Sequence, residues 1–337
     1  MNANPLTQME NMFPVPMLLG ELRSGLSSYW RAAEEILRDS GIRLKVPGAQ
    51  DFSFRKNFFS FLFLHSYNTA GIGKQRRILY AAMLQCLRGM VTGCDNLLDD
   101  EYKPTLESDI PADAHRFRSV IDIMVSDRVL FQLLLEAGLQ REIDVATVAA
   151  ASAASIRTMS RSGMQEASEE SGIQEILEPE ELLQAVHHYK TGILFRCPWD
   201  IPLTIEDISE SDVAPLLEGL HNIGMGCQIM DDMVDFISDL ERRHHNYLVS
   251  LIHWQAPPDE KHRLQDLIGA GAGGLRHMDL SMDFPDSAAM AMERSHRFLE
   301  TGLGLLFSGQ DRFLVDASIQ FLEARIGVAD IIPALRQ

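Results

Sequence analysis

The sequence predicts an all-α protein, and three observations carry that prediction. Apolar residues recur with helical periodicity along most of the chain, alternating strand patterns are scarce, and glycine and proline punctuation is confined to a few places. In order, the pattern predicts helices over Leu18–Leu37, Phe52–Tyr67, Lys74–Leu98, Ala112–Leu139 and Ile143–Met164, then Pro179–Phe195, Val213–Leu240, Tyr247–Gln255, Asp259–Leu267, Ala288–Phe307 and Arg312–Ile326. Pro104 and Pro111 bracket one loop, Pro198 and Pro202 a second and Pro257-Pro258 a third, while Gly269 to Gly274 reads as a flexible stretch. None of these is long enough for an interdomain linker, and no fixed-period repeat is found, so residues 1–337 read as one large helical domain. The small side chains of Ala146 to Ser155 suit close helix contact. The Phe58, Phe59, Phe61 and Phe63 run reads as core rather than as a lipid-binding wall.

Charge narrows the function. The 337 residues carry 48 Asp plus Glu against 30 Lys plus Arg, a formal net charge of −18. Nucleic-acid binding needs clustered cations that release phosphate counterions, and that footprint is missing. Any phosphate bound here needs a local site. At 46% hydrophobic and 23% charged residues the chain has an ordinary globular composition. Its four cysteines, Cys86, Cys94, Cys197 and Cys227, form no CxxC pair, which argues against a zinc ribbon or disulfide framework and fits a reducing compartment. The N-terminus lacks the basic and apolar regions of a signal peptide, and the most apolar run, Phe58 to Leu64, is far shorter than the roughly 20 residues a bilayer span needs. A cytoplasmic protein without stable membrane insertion is expected.

Two acidic clusters carry the functional argument. In Cys94 to Glu101, at the end of a long apolar helix, Asp95 and Asp99 stand four apart and share one helix face. Like charges repel at that spacing, and a helix C-terminus disfavours anions. In Gln228 to Phe236 the same i, i+4 pair recurs as Asp231 and Asp235, with Asp232 beside it, inside an otherwise apolar helix. Unpaired buried carboxylates are costly, so a cation is the natural partner, and hard oxygen ligands select Mg²⁺, which bridges readily to substrate phosphates. Solvated acidic faces remain the plainer reading of either cluster alone.

With these residues the chain resembles the trans-isoprenyl diphosphate synthases, the polyprenyl synthetase family of class I isoprenoid enzymes. The family pairs two DDxxD motifs: Asp95, Asn96 and Asp99 occupy the first pattern, and Asp231, Asp232 and Asp235 fill the second. Tyr189 to Phe195 is similar to the family's KT segment, Gln228 stands in place of the glutamine of its FQxxDD run, and Gly73-Lys74-Gln75-Arg76-Arg77 resembles its GKRxR segment. The resemblance implies a helical bundle of the isoprenoid synthase type with a central cavity, several Mg²⁺ ions bound with diphosphate, and a homodimer. It implies metal binding at Asp95, Asp99, Asp231, Asp232 and Asp235, with Asn96 as a lesser candidate. Diphosphate binding falls to Lys74, Arg77, Arg88, Lys190, Thr191 and Gln228, and catalysis to Lys190, Asp231 and Asp95.

The departures are specific. Asn96 removes one negative charge from the first motif, with Asp100 and Glu101 beside it. The arginine pair that follows that motif is missing, leaving Lys103 before Pro104. The GKxxGxD loop after the second motif is deleted, leaving Asp239 and Arg242 to Asn246.

The implied reaction ionises an allylic prenyl diphosphate, with Lys190 adding fixed positive charge, and keeps the carbocation from water among apolar and aromatic side chains. If isopentenyl diphosphate supplies the attacking alkene, held by Lys74, Arg77 and Arg88, the reaction is chain elongation. If no second diphosphate binds, the enzyme is a terpene cyclase or lyase. The cyclase NxxxSxxxE triad is broken, because Trp254 stands where its Glu belongs after Asn246 and Ser250. A non-catalytic partner subunit is the third possibility. In the family, bulk four and five residues before the first motif influences product length; here those positions are Val91 and Met90.

A Walker loop at Gly71 to Lys74 fails, since Asn68 and Gln75 occupy required positions. His187-His188 and His244-His245 are expected to be solvated or hydrogen-bonded rather than metal ligands, and the methionines near the second motif are read as gap-filling core.

Overall fold

A computed structural model of the chain describes residues 5–12, 14–100, 102–270, 278–307 and 312–332. The fold is all-α: among the described residues there is no strand, only one isolated bridge between Leu44 and Ser108. None of the described helices is long and apolar enough to cross a membrane. The chain divides into two compact units, Met1–Arg157 with Pro198–Val213, and Thr158–Cys197 with Ala214–Gln337.

The first unit holds α1 (Pro5–Glu10), α2 (Val15–Ile36), α3 (Phe58–Thr69), α4 (Lys74–Leu98), α5 (His115–Leu139) and the first part of α6 (Val145–Ala167). Helix α4 is its axis, packed against α2 and α5. Missing side chains allow these approaches: a Cβ on Gly25 of α2 would lie 2.5 Å from Ala81 Cβ, and one on Gly93 of α4 would lie 2.6 Å from Ile123 Cγ1. Phe58 and Phe61 are core residues, as the sequence suggested. The expected helix from Phe52 starts only at Phe58, because Asn57 folds back to donate to the Asp51 and Ser53 carbonyls and the chain before it takes a 3₁₀ turn.

The second unit carries the rest of α6, then one unbroken helical path made of α7 (Pro179–Leu182), a π-helical segment over Leu183–Gly192, and α8 (Ile193–Arg196). Short helix α9 (Asp200–Ile205), absent from the sequence reading, follows in the first unit, where Trp199 Nε1 donates to Ser66 Oγ at 2.9 Å. Next come α10 (Ala214–Val234), α11 (Phe236–Arg242), α12 (Tyr247–Trp254), α13 (Pro258–Ala270), α14 (Leu280–Asp283), α15 (Pro285–Leu306), α16 (Arg312–Ile326) and α17 (Val328–Ile331). Helix α10 is the buried centre and packs chiefly on α15, where a Cβ on Gly302 would sit 2.6 Å from the Gly219 carbonyl oxygen. The helix expected over Val213–Leu240 breaks at Asp235, which leaves the helical path and begins α11 as its N-cap position. Of the sequence expectations, Glu101 and residues 271–274 lie outside the described residues.

Candidate active site

In the first unit the acids cluster at the C-terminal end of α4. The helix stops there because Asp100 takes a left-handed conformation (φ 54°). Asp95 and Asp99 are exposed, whereas Asn96 points inward: its Nδ2 donates to the Lys103 carbonyl at 3.1 Å and its Oδ1 accepts from the Lys103 amide at 2.8 Å. Asn96 therefore ties down the loop after the motif, with its amide oxygen turned inward to the Lys103 amide. Two turns earlier on α4, Arg88 reaches the Lys56 carbonyl at 3.5 Å, and Lys56 pairs with Asp51 at 2.5 Å.

Lys74 and Arg77 are not near these acids. They begin the same α4 helix whose other end bears Asp95 and Asp99. At about 1.5 Å per residue the separation along the rod is roughly 30 Å, beyond the reach of any one prenyl diphosphate head group. Arg77 is also engaged in the core, donating Nε and Nη2 to the buried Glu21 carboxylate at 2.8 and 2.7 Å and Nη1 to the Ile72 carbonyl.

In the second unit Lys190 and Thr191 ride on the π segment, in which the Ile193 amide donates to the His188 carbonyl five residues back. The wider coil re-aims side chains relative to an α-helix. Lys190 Nζ lies 3.3 Å from Glu166, and Ser162 Oγ donates to the Lys190 carbonyl at 2.8 Å. Burial opposes the Lys190 charge, but Glu166, Asp232, Glu169 and Asp239 outweigh it and raise its pKa. The Thr191 hydroxyl donates to Gln228 Oε1, and Gln228 Nε2 donates to Asp232 Oδ1 at 2.8 Å.

The three aspartates of the second motif divide into two roles. Asp231 and Asp235 are exposed, one turn apart; Asp232, rotated about 100° from Asp231 on the helix, is 3% exposed. Its Oδ2 accepts from the Tyr247 amide at 2.6 Å and lies 3.0 Å from His187 Nε2, so both oxygens are occupied. Burial works against ionisation of Asp232, yet His187 and these donors hold its pKa below the usual carboxylate value. Asn246, the side-chain cap of α12, donates to the Asp232 carbonyl at 2.6 Å and to Asp239 Oδ2 at 2.7 Å. Asp239 is pushed up to about 8 by burial, with the neighbouring Asp232 and Asp235 charges adding to the effect.

Sequence reasoning noted Asp239 and Asn246 without giving them work, took His187 only as one of a histidine pair, and missed Glu166 and Glu169. No local pattern marks these last two; Glu166 lies in the last turn of α6 and Glu169 in the turn just after it, and they meet Lys190 and the His245 amide through the fold. As a metal centre the donor set fits in part. Asp95 with Asp99, and Asp231 with Asp235, present paired exposed carboxylates, whereas Asp232 and Asn96 are spent on internal bonds. Among the described residues no three His, Cys, Asp or Glu side chains converge into a ready-made metal cage.

A polyprenyl synthetase family model matches residues 116–248, a span that includes Lys190, Thr191, Gln228, Asp231, Asp232 and Asp235 and leaves out the α4 acids. Comparison with curated protein sequences gives no match. Solved structures do match: geranylgeranyl pyrophosphate synthetase from Pyrococcus horikoshii is 17% identical, with 95% of this chain and 98% of that one covered and a TM-score of 0.58. A polyprenyl synthetase from Streptomyces coelicolor is 17% identical over 90% of this chain and 99% of that one, with a TM-score of 0.57. Heptaprenyl diphosphate synthase from Staphylococcus aureus is 17% identical over 90% and 98%, with a TM-score of 0.54. Identities this low speak for the fold, which is the all-α isoprenoid synthase fold. The class defined by fold and family match together is that of the prenyltransferases. Over residues 116–248 the chain is similar to the polyprenyl synthetase family, and its fold is the one shared by solved polyprenyl and geranylgeranyl pyrophosphate synthetases.

Proposed function

We propose that the protein ionises an allylic prenyl diphosphate and joins the resulting carbon centre to isopentenyl diphosphate. The observation that carries this reading is the matched pair of exposed i, i+4 carboxylates, Asp95 with Asp99 and Asp231 with Asp235, each at the end of an otherwise buried helix. Each pair would hold Mg²⁺, the remaining oxygen ligands coming from diphosphate and water. When bound, the ions supply Lewis-acid stabilisation of the departing diphosphate.

The chain's own residues do the rest. Lys190, kept cationic by Glu166, Glu169, Asp232 and Asp239, binds diphosphate oxygens. The carboxylates of Glu166, Asp232 and Glu169 outnumber the one ammonium, with Asp239 largely protonated at neutral pH, so these surroundings repel a bare diphosphate, which supports a requirement for added cations. Asp232 is a positioning residue: it fixes His187, Gln228 and the start of α12, and through Gln228 it orients Thr191 beside Lys190. Arg88, with Lys56 beside it, takes over the second diphosphate from the remote Lys74 and Arg77.

A homodimer is part of this proposal. Helix α5 exposes Phe117, Val120, Met124, Phe131, Leu135 and Leu139 along one stripe at helical spacing, an apolar face of the kind that pairs with a second copy. A second reading, cyclisation or lysis of a single prenyl diphosphate, is favoured by one observation: Arg77 is locked to Glu21 and unavailable to a second diphosphate.

The deciding experiment incubates the pure protein with Mg²⁺ and prenyl diphosphates of increasing length, with and without isopentenyl diphosphate. Longer diphosphates formed only with both substrates establish elongation. A hydrocarbon or alcohol from one substrate alone establishes the second reading, and no product with any substrate refutes both.

A further inference from the structure

A cavity of about 310 Å³ in the second unit, not used by the proposed reaction, is lined by Leu183, Gln184, His188, His221, Met225 and Phe298, with the Glu180–Arg294 ion pair at its wall. Its polar focus is a pair of imidazoles from separate elements. His188 on the π segment and His221 on α10 meet Nδ1 to Nε2 at 3.0 Å, their rings 5.2 Å apart. Met225 follows His221 by one helical turn and so lies on the same face. The missing side chain of Gly192 opens the space between them: a Cβ there would fall 2.5 Å from His221 Nε2 and 3.3 Å from Met225 Sδ. Two imidazole nitrogens and a thioether sulfur thus converge beside one glycine.

We infer that His188, His221 and Met225 form a binding site for a soft monovalent metal ion, Cu⁺ in chemical class, independent of the diphosphate chemistry. Three properties argue for this ion over a harder or more highly charged one. A thioether ligand selects Cu⁺ over Mg²⁺ and is a poor partner for Zn²⁺, which takes four N, S⁻ or O ligands. The surroundings are cationic, with Arg161 acting on His188 and Arg196 on both rings, so a single positive charge is tolerated better than two. Both imidazoles are held neutral, since burial first and these charges second lower their pKa values, His221 to about 4, and each keeps a lone pair for a metal. Binding moves the hydrogen shared between Nδ1 and Nε2 to the outer nitrogen of the ring that carried it, with no net proton released. An occupied site would pin the π segment that carries Lys190 to the helix that carries Gln228 and Asp231.

The test is an anaerobic competition between the full-length protein and a chromogenic Cu⁺ chelator, with Zn²⁺ and a zinc chelator as the parallel arm. The expected result is one Cu⁺ retained per chain. Loss of a ligand costs roughly 10- to 100-fold in affinity or more, so Met225→Leu should lose Cu⁺ by that factor while melting like the wild type. His221→Gln and His188→Gln should do the same; if either fails to fold, Met225→Leu decides alone. No retention of Cu⁺ by the wild type, equal retention by Met225→Leu, or preferential retention of Zn²⁺ overturns the assignment. Prenyl transfer is read separately on copper-free protein supplied with Mg²⁺, so its failure would leave this result standing.

Discussion

Replacing Arg77 with Met separates a structural role from a substrate-binding one. Glu21 is 2% exposed and receives two guanidinium hydrogen bonds at 2.8 and 2.7 Å, so removing the arginine leaves a carboxylate stranded between α2 and α4. Breaking a buried pair from one side costs about 3–5 kcal/mol, whereas replacing both partners with apolar side chains of similar volume is often neutral or better. Urea unfolding of Arg77→Met should show a loss in that range, and the double replacement Glu21→Met/Arg77→Met should recover most of it. Because Arg77 lies roughly 30 Å along α4 from Asp95, the KM for isopentenyl diphosphate should stay unchanged in the double variant. The reasoning is refuted if Arg77→Met unfolds within about 1 kcal/mol of the wild type, the scale of an exposed ion pair, while that KM rises tenfold or more.

Four other outcomes are expected. Asp235→Ala should cut turnover by about 10²–10³, the scale of losing one group that stabilises developing charge, with an unchanged circular dichroism spectrum; undiminished turnover would remove Asp235 from the metal set. Asp122 is buried against Thr105 and pushed up to about 6, chiefly by burial, above its unfolded value near 4. Its neutral form is therefore favoured by folding, so the stability it contributes is complete below pH 4 and is lost as pH rises through 6. Asp122→Asn should flatten the stability profile across that window and leave the protein no less stable at pH 8, as followed by thermal melting at stepped pH. Gly25→Ala would push a methyl to 2.7 Å from the Ile78 carbonyl oxygen and should lower stability by about 1–3 kcal/mol in urea. Met124→Glu with Phe131→Glu, on the exposed stripe of α5, should shift a dimer to monomer in light scattering and leave the melting of the monomer intact.

Most of the helices were legible because each buries one apolar face, and that requirement writes a 3.6-residue period into α2, α4, α5, α10 and α15. The acid pairs were legible for the same reason, since helical geometry alone puts Asp95 over Asp99 and Asp231 over Asp235. Placement beyond one helix was harder to read. Lys74 and Asp95 look close in a motif map, yet an uninterrupted helix turns the intervening residues into distance. Asp232 and Asn96 carry the same chemistry as their neighbours, and only their angular position decides that they face inward. The acidic side chains around Lys190 come from α6 and the turn after it, α10 and α11, and a partner supplied by another element leaves no spacing to detect. The break at Asp235 went unseen because the run of apolar residues continues through it into Phe236 and Ile237.

The wide coil over Leu183–Gly192 bears on how this protein tolerates changes in length. A π-helical turn accommodates one residue more than the α path needs, so the segment holds slack that no loop has to absorb. Deleting one residue between Leu183 and Val186 would take up that slack, letting the turn tighten into ordinary α geometry and re-aiming the side chains within the segment, Lys190 among them, while α10 stays where it is. Single-residue indels here would therefore act as a dial on the ammonium's bearing, and chains of altered length in this stretch are where a lineage of this fold would change its chemistry without rebuilding its core.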